Sequence, residues 1–218
     1  MSSAYETDPG APPPQSRVPA MVLLISLALL GIAILAWLLW YLFDERAEHG
    51  AYEAAPECEI GETDVLAELV PGYEKEVEET VGTVQDSFGT GWQCRWSTPE
   101  VEGSSVPAAA TLLLVAAPVE GGEENAAQTL ESTASGNDAD RVDDLGEEAL
   151  AWIEPGAFEV GCTGVRVSNL YLESCYTAAT DYDALNSIEG VEAVAEAERL
   201  ARAIVAELPE GIEEHQSD

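Results

Sequence analysis

Basic residues are scarce in this chain: eight Lys and Arg oppose 42 Asp and Glu, and the formal net charge is −34. The single lysine is Lys75. A field of this sign repels nucleic acid and anionic lipid headgroups, so the sequence excludes nucleic acid as a partner. A solvated surface adapted to a salty or alkaline exterior explains the charge. The alternatives are a basic protein or polyamine partner and the binding of divalent cations.

The chain has only two histidines, and neither falls inside the predicted folded domain, since His49 precedes it and His215 follows it. This excludes Ser–His and Cys–His nucleophilic arrangements and histidine-based metal catalysis. A pair of carboxylates could act as acid and base, as in glycoside hydrolysis. Forty carboxylates follow residue 43, however, and the sequence singles out no two of them. We therefore expect no enzymatic activity and no cofactor.

Motifs for metals and phosphates are missing as well. The four cysteines include no C-x-x-C spacing, which argues against a zinc or redox site. The acidic segment 138–149 resembles a calcium loop, but Val142, Asp143 and Ala149 stand where the EF-hand pattern needs a ligand, a glycine and a glutamate. The Gly121-Gly122 pair is flanked by glutamates that would repel phosphate.

Residues 21–43 form a 23-residue stretch without a charged side chain. As a helix it would extend roughly 34 Å, enough to cross a bilayer core of about 30 Å. It is longer than the apolar region of a signal peptide and ends in aromatic residues, although a cleaved signal remains the alternative. We predict a single transmembrane helix over residues 18–43 that contacts the lipid bilayer. Its interfacial belt is Trp37, Trp40 and Tyr41.

The cysteines decide the predicted orientation, because Arg17 and Arg46 flank the span and balance each other. All four cysteines follow the span, and an even set is expected where disulfides persist, outside the cytoplasm. The predicted organisation is a disordered cytoplasmic tail (1–17), the membrane helix (18–43), an acidic stalk (44–57), an extracytoplasmic α+β domain (58–209) and a disordered tail (210–218).

Periodicity and turn residues predict the elements of the domain. Thr63 or Asp64 caps a short helix over residues 65–70, and residues 92–96 alternate as a strand with Trp92, Cys94 and Trp96 on one face. Segment 74–84 is ambiguous. The other predicted elements are a buried strand (109–117), a helix (123–132), an acidic loop (135–148), a strand (149–153) and an amphipathic helix (189–207). The buried face of that last helix is predicted to hold Val191, Val194, Ala197, Ala201, Ile204 and Leu208.

Residues 162–175 predict a β-hairpin with a two-residue turn at Ser168-Asn169, since Asn tolerates positive φ. This register places Cys162 directly opposite Cys175, at a non-hydrogen-bonded site where side chains approach closely. We therefore predict a Cys162–Cys175 disulfide and, by elimination, a Cys58–Cys94 disulfide. The register also predicts a core face formed by Val165, Val167, Leu170 and Leu172.

Several short motifs resemble a family of actinobacterial cell-envelope proteins of unknown function, most of which are lipoproteins. The motifs are a Cys before a short helix (Cys58), a C-x-W strand (Cys94-Arg95-Trp96), Leu145-Gly-Glu-Glu-Ala149, a V-R-V-x-N-L hairpin from Val165, and a closing Ala-rich helix. The resemblance implies an antiparallel sheet backed by helices, similar to PsbP-like domains, and it implies no catalytic residues. Cys58 lacks a lipobox, so the predicted anchor is helical instead of lipid.

These observations predict an α+β fold class: an N-terminal single transmembrane helix followed by an antiparallel sheet of about five strands backed by about three helices. The favoured function is a membrane-anchored cell-envelope interaction or scaffolding module with a protein partner, which the charge suggests is basic. The alternative is a ligand-sensing or solute-binding domain, which would need a closed apolar pocket with convergent polar groups.

Overall fold

The computed structural model describes residues 22, 25, 26, 28–38, 50–83, 88–99 and 106–209. The chain divides into two compact units, Met1–Arg46 and Ala47–Asp218. The strands are β1 (Glu74–Gly82), β2 (Thr90–Ser97), β3 (Ala108–Ala116), β4 (Asp140–Arg141), β5 (Glu148–Glu154), β6 (Val160–Val167) and β7 (Leu170–Ala178). The helices of the second unit are a 3-10 helix (Cys58–Gly61), α1 (Asp64–Leu69), α2 (Gly122–Ala134) and α3 (Gly190–Glu207).

The structure corrects the predicted fold class in its membrane part. Residues 22, 25, 26 and 28–38 are helical. Among the described residues, no helix is both long and apolar enough to cross a membrane. The predicted transmembrane helix over residues 18–43 is therefore wrong.

The predicted interfacial belt falls partly on this segment. Trp37 lies in the described helical run and is 58% exposed. Trp40 and Tyr41 lie outside the described residues, as do the predicted tails 1–17 and 210–218.

The seven strands of the second unit form one antiparallel sheet in the order β1-β2-β3-β7-β6-β5-β4. Helices pack on both faces of this sheet. A Cβ atom on Gly161 would lie 2.0 Å from the main-chain nitrogen of Val194 on α3, and one on Gly164 would lie 2.8 Å from Leu130 Cδ1 on α2. Side chains three positions apart on a strand point to opposite faces. The two glycines in β6 thus let α3 and α2 approach the sheet from opposite sides.

The larger hydrophobic core lies on the α3 side of the sheet. Its fully buried members include Trp96, Leu112, Leu172 and Leu200. A smaller cluster on the α2 side is formed by Ala134, Trp152, Cys162 and Cys175. The domain therefore has three layers, with the sheet in the middle.

The local signals in the sequence predict most elements of this domain. The Leu66 N–H donates to Thr63 Oγ1 at 3.2 Å, which confirms Thr63 as the cap of α1. In β2, Cys94 and Trp96 are buried while Gln93 and Arg95 are exposed, as the alternation predicts. The ambiguous segment 74–84 contains β1, and the acidic loop 135–148 contains the two-residue strand β4.

The hairpin register and both disulfides are confirmed. Cys162 pairs with Cys175 across β6 and β7, and disulfides join Cys162 to Cys175 and Cys58 to Cys94. The turn differs in one detail. The positive φ, 53°, falls on Ser168 and not on Asn169. The Asn169 side chain is fully buried and forms hydrogen bonds with main-chain groups outside the turn.

Asn169 holds the start of the domain in place. The Tyr52 N–H donates to Asn169 Oδ1 at 2.9 Å, and Asn169 Nδ2 donates to the carbonyls of Tyr52 at 2.8 Å and Ala117 at 2.7 Å. We call these three hydrogen bonds the Asn169 clamp. Tyr52 and Ala55 are buried in the main core. Residues 50–57, predicted as part of a stalk, therefore belong to the folded domain.

The buried face of α3 differs from the predicted stripe. Val191 is 72% exposed, and Ala193 and Leu200 are fully buried in its place. The close approach of α3 to Gly161 requires small residues at the contact, and Ala193 meets that requirement. Hydrophobicity alone could not predict this rotation of the helix.

Candidate functional site

An open groove of about 660 Å³ lies between the 3-10 helix, the start of α1 and the last turns of α3. Its apolar lining consists of Ile60, Val65, Ala203 and Ala206. Its polar lining consists of Glu59, Glu62, Thr63, Asp64 and Glu207. We call this surface the acidic groove.

Covalent and steric restraints position the 3-10 helix that forms one wall of the groove. Cys58 begins this helix and is bonded to Cys94 in β2, with 5.8 Å between the Cα atoms. At its other end, a Cβ atom on Gly61 would lie 2.5 Å from the Trp96 ring, so the main chain lies directly on that ring. Both anchors belong to the core, and the wall is therefore held rigidly against the sheet.

The opposite wall depends on the small side chains near the end of α3. Ala203 is partly buried and Ala206 is exposed, while Ile204 between them is fully buried against the sheet. Alanines at this position leave room between α3 and the cap of α1. The groove exists because two helix ends meet there without a large side chain to fill the gap.

The electrostatics of the groove are those of a cation-binding surface. Of the described residues that line it, none is basic and four carry carboxylates. Lys75 lies beside the groove, and its Nζ is 3.5 Å from Glu59, 3.4 Å from Glu62 and 3.0 Å from Glu78. The hydrogen bond to Glu78 raises the pKa of Lys75 above its usual range. One ammonium among three carboxylates leaves this end of the groove negative.

A second polar cluster lies beneath α2, on the other face of the sheet. Tyr171 is buried and its hydroxyl donates to Glu173 Oε2 at 2.6 Å, while Glu173 Oε1 lies 3.6 Å from Cys175 Sγ. Burial raises the pKa of Tyr171. Among the described residues, Cys162, Glu173 and Cys175 form the one group of three potential metal ligands. The two sulfurs are joined in a disulfide, however, and a metal binds the thiolate.

The charge state of Glu173 predicts a pH effect on stability. Burial raises the pKa of this carboxyl, and the nearby charge of Glu154 raises it further. The protonated form is thus favoured in the folded state. The stability contributed by protonated Glu173 is fully present below the ordinary carboxyl pKa of about 4.3. It is lost as the pH rises through the raised pKa of the folded state.

We therefore expect Glu173→Gln to be more stable than the parent protein at neutral pH, because Gln is uncharged and still accepts from Tyr171. The advantage should disappear towards pH 4. Urea unfolding across this pH range measures both effects. The exposed Glu131→Gln is the matched control and should show no such crossover. A Glu173→Gln variant that is less stable than the parent at neutral pH would contradict the prediction.

The structure brings the predicted cysteine pairs together. Of the predicted interfacial belt only Trp37 belongs to the described residues, and the belt stays a prediction. Sequence reasoning missed the acidic groove and the Asn169 clamp. Glu59, Glu62 and Asp64 are close in the sequence, but Ala203, Ala206 and Glu207 join them only through tertiary packing.

No family model, curated protein or solved structure matches this chain. The resemblance to the cell-envelope family, noted from the sequence motifs, therefore stays a prediction.

Proposed function

We propose that this chain is an extracytoplasmic interaction module that binds a basic protein partner through the acidic groove. The observation that carries the proposal is that four apolar residues and four exposed carboxylates line one open groove, and we call these carboxylates its rim. Such a surface complements a helix or strand that has apolar residues on one side and Lys or Arg beside them. Charge complementarity of this kind steers the encounter and selects the partner.

The disulfides support the proposed compartment. Both disulfides are present and no cysteine is free. Disulfides persist in oxidising compartments and are rare in the cytosol. This supports a location in the cell envelope or outside the cell, which is also where the resembled family is found.

The alternative, a solute-binding or sensing domain, receives less support from the groove. A small-molecule site typically buries 70–90% or more of its ligand in a cleft or cavity. The acidic groove is open to solvent, and its four carboxylates are exposed. It therefore suits a segment of a macromolecule better than a small apolar solute.

The test uses a synthetic amphipathic helical peptide of leucine and lysine as the probe, with the folded protein titrated by calorimetry. We expect binding that weakens about tenfold or more between low and high salt, because screening removes the attraction of the rim. Ala206→Trp should fill the groove and weaken binding by about tenfold. The matched control Ala195→Trp changes an exposed alanine of the same helix and should leave the affinity unchanged.

Two variants that each remove one carboxylate charge test the rim separately. Glu207→Gln should weaken binding of the same peptide, whereas Glu192→Gln, at the exposed start of α3, should not. Equal affinity of the two tryptophan variants would overturn the proposal. Equally tight binding of a peptide in which glutamate replaces lysine would do the same.

A further inference from the structure

The sheet has one long edge. The strand order places β1 and β4 at its two ends, and β4 has two residues whereas β1 has nine. Among the described residues, β2 is the only strand that pairs with β1. The main-chain N–H and C=O groups on the outer side of β1 can therefore pair with an additional strand.

The register limits where such pairing is regular. The pairing of β1 with β2 shifts between Lys75 and Val77, so Glu76 forms an irregularity in the strand. From residue 77 to residue 82 each residue pairs with its partner on β2 without a further shift. The partner strand is rigid, because Cys94 lies in its centre and is bonded to Cys58. Residues 77–82 are thus a preformed edge of six residues.

The charges of β1 select what can pair with it. The strand carries four glutamates, Glu74, Glu76, Glu78 and Glu79, and one lysine. All four glutamates are exposed. Two copies of this chain paired edge to edge would bring carboxylates across from one another, and like charges in directly opposed positions are destabilising. A strand that carries lysine or arginine would instead gain cross-strand attraction.

We propose that the free edge of β1 binds an extended, Lys- and Arg-rich segment of a partner protein, which adds an eighth strand to the sheet. This inference rests on the proposed function in that the partner is basic, but it uses a different surface. The two surfaces adjoin, because Lys75 of β1 contacts Glu59 and Glu62 on the rim of the acidic groove. One partner can therefore use both.

The test uses an eight-residue peptide of alternating lysine and threonine as the probe. Hydrogen exchange measured by NMR should show new protection at every second amide between residues 77 and 82, where outward N–H groups pair with the peptide. A second peptide of the same sequence carries N-methyl groups along one edge, which keeps its charge and removes its main-chain donors. It should bind at least about tenfold more weakly.

Variants separate this inference from the proposed function. Glu79→Lys should weaken binding of the peptide, and Glu131→Lys, an exposed position on α2, should not. Ala206→Trp should leave strand binding unchanged even though it blocks the acidic groove. Equal binding of the N-methylated peptide would overturn the inference while leaving the proposed function intact. So would pairing of two copies through β1 at high salt, since a second copy would then be the occupant.

Discussion

Asn169→Ala is expected to lower the free energy of unfolding by about 3–5 kcal/mol. The side chain is fully buried, and its loss leaves three main-chain groups without partners, namely the N–H and C=O of Tyr52 and the C=O of Ala117. Each buried group left unpaired costs about 1–3 kcal/mol. The total loss of stability should stay below the sum of the three individual costs, because residues 50–55 can detach and let water reach these groups.

Urea unfolding followed by circular dichroism measures this effect. The slope of the unfolding transition should also fall, because detachment of residues 50–55 exposes surface before global unfolding. The matched control is Asn186→Ala, the same chemical change at an exposed position, with an expected effect below about 0.5 kcal/mol. If both variants lose the same small amount of stability, the Asn169 clamp does not hold the domain together.

Removal of the Cys58–Cys94 disulfide by the double change Cys58→Ala and Cys94→Ala is expected to cost about 4 kcal/mol. The bond joins residues 36 positions apart, and both cysteines are fully buried. Loss of the cross-link increases the conformational entropy of the unfolded chain. It also frees the 3-10 helix, which is one wall of the acidic groove. Binding of the amphipathic peptide should therefore weaken together with stability.

The corresponding change at Cys162 and Cys175 is the comparison. That bond spans 13 positions, and loop entropy then predicts a smaller cost of about 3 kcal/mol. It lies on the α2 side of the sheet, so peptide binding in the groove should be retained. The prediction fails if the second pair proves the more costly one, or if the first variant folds and binds the peptide as tightly as the parent.

Local chemistry explains which predictions succeeded. Thr63 caps α1 because a hydroxyl directly before a helix can accept a hydrogen bond from an N–H of the first turn, which has no partner within the helix. The disulfide between Cys162 and Cys175 follows from the geometry of a two-residue turn, since one register fixes every pair in the hairpin. Each of these features depends on residues that are a few positions apart or are joined by one turn, so the sequence alone is enough to predict it.

Other features have no local signal. The nine residues of β1 give a weak local signal, because four of them are exposed glutamates and none of the nine is fully buried. Val191 has the right spacing for the buried face of α3, but the position of Gly161 decides which side of the helix meets the sheet. The uncharged stretch 21–43 predicted a membrane span from hydropathy and length, but among the described residues no helix is both long and apolar enough for one.

The amino-acid sequence by itself determined the negative charge, the two disulfide pairs, the hairpin and most of the strands and helices, because each depends on composition or on short-range geometry. Only the tertiary structure decided where the acidic groove lies, what Asn169 binds and which edge of the sheet is free. The physical reason is distance along the chain. Glu59 and Ala206 share a groove, and Tyr52 and Asn169 share hydrogen bonds, although more than one hundred residues separate each pair.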